Sequence, residues 1–227
     1  MLKFLGNGSG FTPYHNNCYF TKDENLTFID LSMLNIEKAL TIQNEYKNVS
    51  VLITHMHDDH VSGIGLFAQY LFYVYKKKLT ILIPSALLSD IMEELKIKGI
   101  SNNIVNIIII NDGYDFVEKV IATSHTSELS GKCFGYKLNI DNKKIVYTGD
   151  TNRINDFISY LNDVDEFYID VSYSYGGVHL KWDDIKETLI DIAKTCDVYI
   201  MHMDNINAFK MLKLEDKNIK LVGRVMI

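Results

Sequence analysis

Ten residues constrain this chain more than any others: Val51 to His60, which read V-L-I-T-H-M-H-D-D-H. Val51, Leu52, Ile53 and Thr54 are apolar or β-branched and read as a short buried strand. They run straight into three histidines and two aspartates within six residues. Imidazoles and carboxylates in that mixture suit borderline divalent metals, zinc above all, with manganese and iron as alternatives. A buried strand gives a rigid edge, and the loop leaving it can gather several ligands around one point. One loop histidine says little, but three histidines and an acid at H-x-H-x-D-H spacing predict a metal site.

The frame around that site is globular. At 227 residues the chain fits one domain spanning 1–227. An apolar fraction of 47% with 23% charged residues argues against disorder. Net charge is −6, and the one cationic run, Lys76-Lys77-Lys78, reads as a helix end. An acidic chain without a basic arm is poorly equipped to hold a long nucleic acid by its phosphates. Cys18, Cys133 and Cys196 are odd in number and widely spaced, so they read as buried thiols in a reducing compartment. The opening M-L-K-F-L-G-N-G-S-G has no signal-peptide pattern, and no apolar run approaches the roughly 20 residues of a membrane span. A cytoplasmic location is the expectation.

Along the chain, Leu2–Leu5 reads as a strand leading into a glycine-rich turn. Pro13 and the polar run His15-Asn16-Asn17 follow, rather than the helix a nucleotide-binding loop needs, so the turn is expected near a pocket. His15 is either a surface residue or a visitor to the site, with the surface favoured. Cys18–Phe20 and Leu26–Leu31 predict a hairpin joined by the polar turn Lys22–Asn25, with Asp30 ending its second strand, and Ile36–Tyr46 a helix. After His60, Gly63 and Gly65 are expected to let the backbone lie close to the metal loop. Leu66–Tyr75 reads as an aromatic helix, at an interface or in the core. Leu79–Ile83 is a strand ended by Pro84, with Ser85 as the cap of a helix over Ala86–Leu95. Strands follow over Ile104–Ile110 and Val117–Thr123, then a hairpin of Phe134–Ile140 and Lys144–Tyr147 turning at Asp141-Asn142. Asn155–Leu161 and Asp183–Thr195 read as helices, Glu166–Val171 and Val198–Met201 as strands, and Leu221–Ile227 as a closing strand. Strands and helices alternate in each half of the chain.

A pattern recurs: a strand ends and a metal-competent residue appears, at His55, His125, Asp150, Asp170 and His202. Ligands at several strand ends converge on one edge of a sheet, which favours a two-metal centre. H-x-H-x-D-H after an apolar strand, a later isolated His, a T-G-D-T strand end and a final His after a strand together resemble the metallo-β-lactamase superfamily. The resemblance implies an α/β fold, an αββα sandwich of two mixed sheets flanked by helices. It implies that His55, His57 and His125 hold one metal, that Asp59, His60 and His202 hold a second, and that Asp150 bridges both. An aspartate at the bridge is similar to the hydrolase and phosphodiesterase branches rather than to drug-resistance enzymes. Zinc, manganese and iron all remain open there.

Within the superfamily the chain is most similar to ribonuclease Z-like phosphodiesterases, through F-L-G-N-G-S-G, S-H-T, F-G-Y and Y-T-G-D-T. That likeness implies that Asp170 pairs with His179, which donates a proton to the leaving oxygen. Some transfer-RNA-processing relatives carry a long arm between the isolated His and the bridging Asp. Here 24 residues separate His125 from Asp150, and the predicted hairpin fills most of them. The expected substrate is therefore a small phosphodiester, a cyclic nucleotide among the candidates. Two divalent ions can share a water and lower its pKa to give hydroxide, which Asp59 can orient. Tyr173, Tyr175, Phe134 and Tyr136 either wall the pocket or fill the core. A carboxylic ester, thioester or lactone hydrolase with Tyr173 or Tyr175 near the carbonyl is the alternative. An iron-loaded oxygen or nitric oxide-handling protein is a weaker one, since no flavin domain is attached. The resemblance also implies a homodimer.

Overall fold

In the computed structural model, residues 1–214 and 217–225 are described. Short strands spread along each half of the chain build two sheets of six strands each among the described residues. The first runs β1 (Lys3–Phe4), β2 (Cys18–Lys22), β3 (Asn25–Ile29), β4 (Asn48–Leu52), β5 (Leu79–Pro84) and β6 (Val105–Ile110), in that spatial order. The second runs β7 (Val117–Thr123), β8 (Cys133–Ile140), β9 (Lys143–Tyr147), β10 (Glu166–Asp170), β11 (Asp197–Met201) and β12 (Ile219–Leu221), also in sequence order. In each sheet the first two pairings are antiparallel and the last three parallel. The halving visible in the sequence is thus a repeated topology: a meander, then parallel strands returned by helical crossovers.

Among the described residues the α-helices are α1 (Ile36–Ile42), α2 (Asp58–Val61), α3 (Ile64–Gln69), α4 (Leu88–Ile97), α5 (Asn155–Ile158), α6 (Trp182–Ile192) and α7 (Ile206–Met211). α6 buries Trp182, Ile185 and Leu189, a stripe at helical spacing that covers a sheet face. β10 is buried at all five positions, as a central parallel strand should be. Of its two acids, Glu166 is answered by Lys143 Nζ at 3.0 Å and the Tyr168 hydroxyl at 2.9 Å, and Asp170 ends the strand. A single apolar cluster runs through both sheets, from Leu2 to Val222. The αββα sandwich expected from the resemblance is present. The hairpin turn falls at Asp141 and Asn142, whose φ values of 52° and 63° are the left-handed pair such a tight turn requires.

Several local expectations need correcting. Ser85 makes no capping hydrogen bond; it opens a 3₁₀ turn, and the α-helix proper begins at Leu88. The aromatic helix starts earlier, at Ile64, and continues over Tyr70–Val74 as a π-type turn. It buries Phe67, Ala68 and Leu71 while Tyr70, Tyr73 and Val74 stay exposed, so one face belongs to the core and the other does not. Gly63 approaches the Ser32 carbonyl, which a Cβ would meet at 2.6 Å, not the metal loop. The closing strand is Ile219–Leu221, and beyond it the chain crosses to the other sheet, where Arg224 bridges Phe4 and Val225 N donates to the Phe4 carbonyl at 2.8 Å. The last two positions of that expected strand, 226 and 227, lie outside the described residues. α7, a short helix capped by the Asn205 side chain, was not legible in the sequence.

Candidate metal centre

The strand ends converge between the two sheets. β4 runs into Thr54 and His55, and His57 begins the single turn of α2 with extended backbone. Successive helical residues point about 100° apart, so Asp58, Asp59 and His60 span about 200° and cannot all face inward. Asp58 is exposed, whereas Asp59 is mostly and His60 wholly buried. From the second sheet, β7 delivers His125, β9 delivers Asp150, and β10 and β11 end at Asp170 and before His202. His202 takes φ 56°, a left-handed turn that His tolerates better than most residues, and its N–H donates to Asn16 Oδ1 at 3.2 Å.

These side chains form two quartets that share Asp150. His57 Nδ1 lies 3.0 Å from His55 Nε2 and 3.2 Å from His125 Nε2. Asp150 Oδ2 is 3.9 Å from the former and 3.7 Å from the latter. On the other side, Asp59 Oδ2 is 3.2 Å from both His60 Nε2 and His202 Nε2. Asp150 reaches those two nitrogens at 3.3 Å through Oδ1 and 3.2 Å through Oδ2. Donor atoms within each quartet all lie within 4.8 Å of one another. The seven residues predicted as ligands are brought together, four from the first sheet's edge and three from the second's.

The donors fit a pair of divalent cations. His60 Nε2 and Asp150 Oδ1 are sealed from solvent without a hydrogen-bond partner. Leaving such atoms orphaned costs on the order of 1–3 kcal/mol each, and a cation among them removes that cost. Burial and then the His60 charge hold the His55 imidazole well below its usual range. Burial opposes charge on His60 and His202 too, but Asp150, with Asp59 and Asp30 beside His60 and Asp170 beside His202, pushes both well above it. Burial likewise opposes charge on Asp150, which His202 and His60 hold well below its usual value. The field in this pocket is one that recruits positive charge.

Outer partners fix the ring orientations. His60 Nδ1 donates to Asp30 Oδ2 at 2.7 Å, leaving Nε2 as the ligand atom. His55 Nδ1 meets Thr54 Oγ1 at 3.1 Å, and that hydroxyl donates to the same Asp30 oxygen at 2.7 Å. The Thr54 amide adds 2.8 Å to Asp30 Oδ1. His125 Nδ1 donates to the Val178 carbonyl at 2.7 Å. Asp30 was noted in the sequence only as a strand end, yet it anchors one histidine of each quartet. An acid closing the strand-forming run L-T-F-I was the available signal. Asp30→Asn is expected to weaken metal affinity about 10–100-fold, measured by competition with a chromogenic chelator. Unchanged affinity would show that strand packing alone holds these rings.

Asn16 and Asn17 were read as a polar run and prove to be buried struts: Asn17 Nδ2 donates to the Asp59 carbonyl at 3.0 Å. His15 is half-buried beside them rather than on the surface. Burial lowers its pKa against the pull of Asp59, and its Nδ1 is sealed without a partner. The glycine-rich turn does border the site, since a Cβ at Gly10 would sit 2.9 Å from Asp59 Oδ2. Asp170 and His179 meet as well: Asp170 Oδ2 accepts from His179 Nδ1 at 2.7 Å and from the Thr151 amide at 3.0 Å. Asp170 Oδ1 lies 3.4 Å from His202 Nδ1, and these residues with Asp150 make a third close cluster. Of the four aromatics, Tyr136 is core, its hydroxyl donating to the Ile53 carbonyl, and Phe134 is buried. Tyr173 and Tyr175 are exposed on the loop before His179. The three cysteines are free and buried. Among the described residues no helix is long and apolar enough to cross a membrane.

Comparison with known proteins agrees with this fold. The chain is 27% identical over 127 residues to "Anti-Pycsar protein Apyc1" of Paenibacillus xerothermodurans, covering 55% of this chain and 51% of that one. The match therefore spans about half the length of that relative. In structure the chain is similar to the metallo-β-lactamase fold protein YhfI from Bacillus subtilis, with TM-score 0.77, 14% identity, and coverage of 99% and 97%. It is similar also to a diphosphatase of the PhnP family, with TM-score 0.74, 15% identity, and coverage of 99% and 95%. Residues 1–225 match the family described as Anti-Pycsar protein Apyc1. On a metallo-β-lactamase fold, with paired donor quartets at the seam of its sheets, the chain belongs to the Anti-Pycsar protein Apyc1 family.

Proposed function

We propose that the chain is a dinuclear metal-dependent phosphodiesterase acting on a small phosphodiester, a cyclic nucleotide in particular. The observation that carries this reading is the third cluster: a carboxylate-backed imidazole, His179 on Asp170, packed against the carboxylate that both metal quartets share. Two divalent ions, zinc by the histidine-rich donor set, would supply an activated water and neutralise charge at phosphorus. His55, His57 and His125 would hold one, Asp59, His60 and His202 the other, and Asp150 both.

The remaining work falls to the chain. Asp59 accepts a hydrogen from the attacking water and so aims it. Burial disfavours the charged His179 ring, but Asp170 outweighs it and raises its pKa, which keeps a proton available. With Nδ1 committed to Asp170, Nε2 is the atom that protonates the leaving oxygen. Asp170 acts through His179 and His202 as a positioning residue. The short connection from His125 to Asp150, filled by the β8–β9 hairpin, supports a small substrate over a long nucleic acid. The diphosphatase among its structural neighbours acts on phosphorus chemistry, and the name anti-Pycsar marks family members as opposing another system. A homodimer using the exposed face of Tyr70, Tyr73 and Val74, in a reducing cytoplasm suited to three free thiols, completes the reading.

The test is hydrolysis of a panel of 3′,5′-cyclic nucleotides and bis(p-nitrophenyl) phosphate by metal-stripped protein reloaded with zinc or manganese, beside a carboxylic ester and a lactone. Metal-dependent cleavage of the diesters is expected. Cleavage confined to the ester or lactone overturns the proposal in favour of acyl chemistry.

A further inference from the structure

A cavity of about 500 Å³ opens beside His179, with no residue of the two metal quartets in its lining. Its rim is the loop Gly176-Gly177, and its wall is the start of α6, with Lys181 and Asp184. Leu180 and Ile185, each 6% exposed, give it an apolar floor. The cavity is joined rigidly to the centre: Asn152 Nδ2 donates at 2.9 Å both to the carbonyl of His125 and to that of Gly177. Lys181 is held in turn by a bridge to Ser172, whose carbonyl accepts from Trp182 N and whose amide donates to the Leu180 carbonyl, both at 2.8 Å.

Two charges in this wall stand outside the ion pairs of the described residues. The ion pairs of α6 are Lys186 with Asp183 and Lys194 with Asp191. Among the described residues neither Lys181 nor Asp184 has an oppositely charged partner within 4.0 Å. A free donor and a free acceptor thus stand about one helical turn apart over an apolar floor. The Lys181 stem runs along Gly176, where a Cβ would touch it at 3.6 Å, so the loop leaves room for it.

Displacement at phosphorus places the group that carries the leaving oxygen on the side of the acid that protonates it. That acid is His179, and this cavity is the space next to it. We propose that the cavity is the subsite for the leaving alcohol and that it takes a nucleoside, with Lys181 donating to a base carbonyl and Asp184 accepting from the adjoining N–H or amino group. Leu180 and Ile185 support the ring faces. The volume is in the range of small-molecule sites, about 300–1,000 Å³. The assignment rests on the phosphodiesterase reading and names the recognition that reading lacks.

The experiment compares Lys181→Met and Asp184→Asn with the parent holoenzyme on a 3′,5′-cyclic nucleotide and on propane-1,3-diyl phosphate. The second is the same six-membered cyclic diester without sugar or base. Loss of a hydrogen bond to a charged group should shift the nucleotide-to-diol specificity ratio about tenfold or more, through KM rather than kcat. Equal effects on both substrates, or no effect on either, overturn the subsite. Titration of uridine and adenosine followed by amide NMR gives a readout independent of turnover. Saturable shifts at Asn152 and Gly177 that weaken in Lys181→Met support the subsite. Their absence overturns it even where diesters are cleaved, and their presence in a protein that cleaves no diester retains the subsite and removes the reaction.

Discussion

Asp150→Ala should lower kcat/KM on a phosphodiester by about 10³-fold or more and reduce the bound metal below two ions per chain. The magnitude follows from geometry. Asp150 is the one residue in all three clusters, with an oxygen 3.2–3.9 Å from the ligand nitrogens of His55, His60, His125 and His202. Charge stabilisation by a bound metal is worth several kcal/mol in a transition state, and each 1.36 kcal/mol is about tenfold in rate. The variant also leaves four imidazoles facing one another without the carboxylate that balances them. Metal analysis and kinetics on the same sample provide the check. Metal-stripped parent protein should fall to the same level, and a variant that keeps two ions and most of its activity would remove Asp150 from the bridge.

His179→Ala carries the second large effect, and its signature is a dependence on the leaving group. An alkoxide leaving from a ribose needs a proton, so activity on a cyclic nucleotide should drop by roughly 10²–10⁴-fold. A p-nitrophenolate leaves without one, so the loss on bis(p-nitrophenyl) phosphate should be far smaller. Equal losses on both substrates would make His179 a strut of the metal site rather than an acid. Its ring, 4.9 Å from the rings of both His125 and His202, makes that alternative concrete. Metal content, measured beside the rates, separates the two.

Most of the candidate centre was legible because its donor residues obey a short-range rule. H-x-H-x-D-H lies within one strand end and one helical turn, and each remaining ligand follows an apolar run that can be seen without a partner. The double sheet was legible for the same reason: β-branched runs at Val51–Ile53 and Ile107–Ile110 state their conformation locally. What stayed hidden depends on distant pairings. Asp30 reaches His60 across thirty positions, and Asn16 reaches His202 across 186. No window of sequence contains either relation. Tyr136 resolves an open choice between pocket wall and core. An aromatic near the site in sequence is drawn into the core because the Ile53 carbonyl, at the end of the metal strand, needs a donor. Ser85 failed as a cap because Pro84 imposes extended backbone before it and the chain enters the helix through a tighter turn.

The division of ligands between the sheets has a consequence for the molecule's survival. His55, His57, Asp59 and His60 hang from one sheet, and His125, Asp150 and His202 from the other. Ions bound between them would act as rivets across the seam, and because an unfolded chain has no such seam, occupancy would add to the folding free energy of the whole molecule. Metal supply then governs abundance as well as rate: a cell short of the ion would lose this protein to proteases along with its activity.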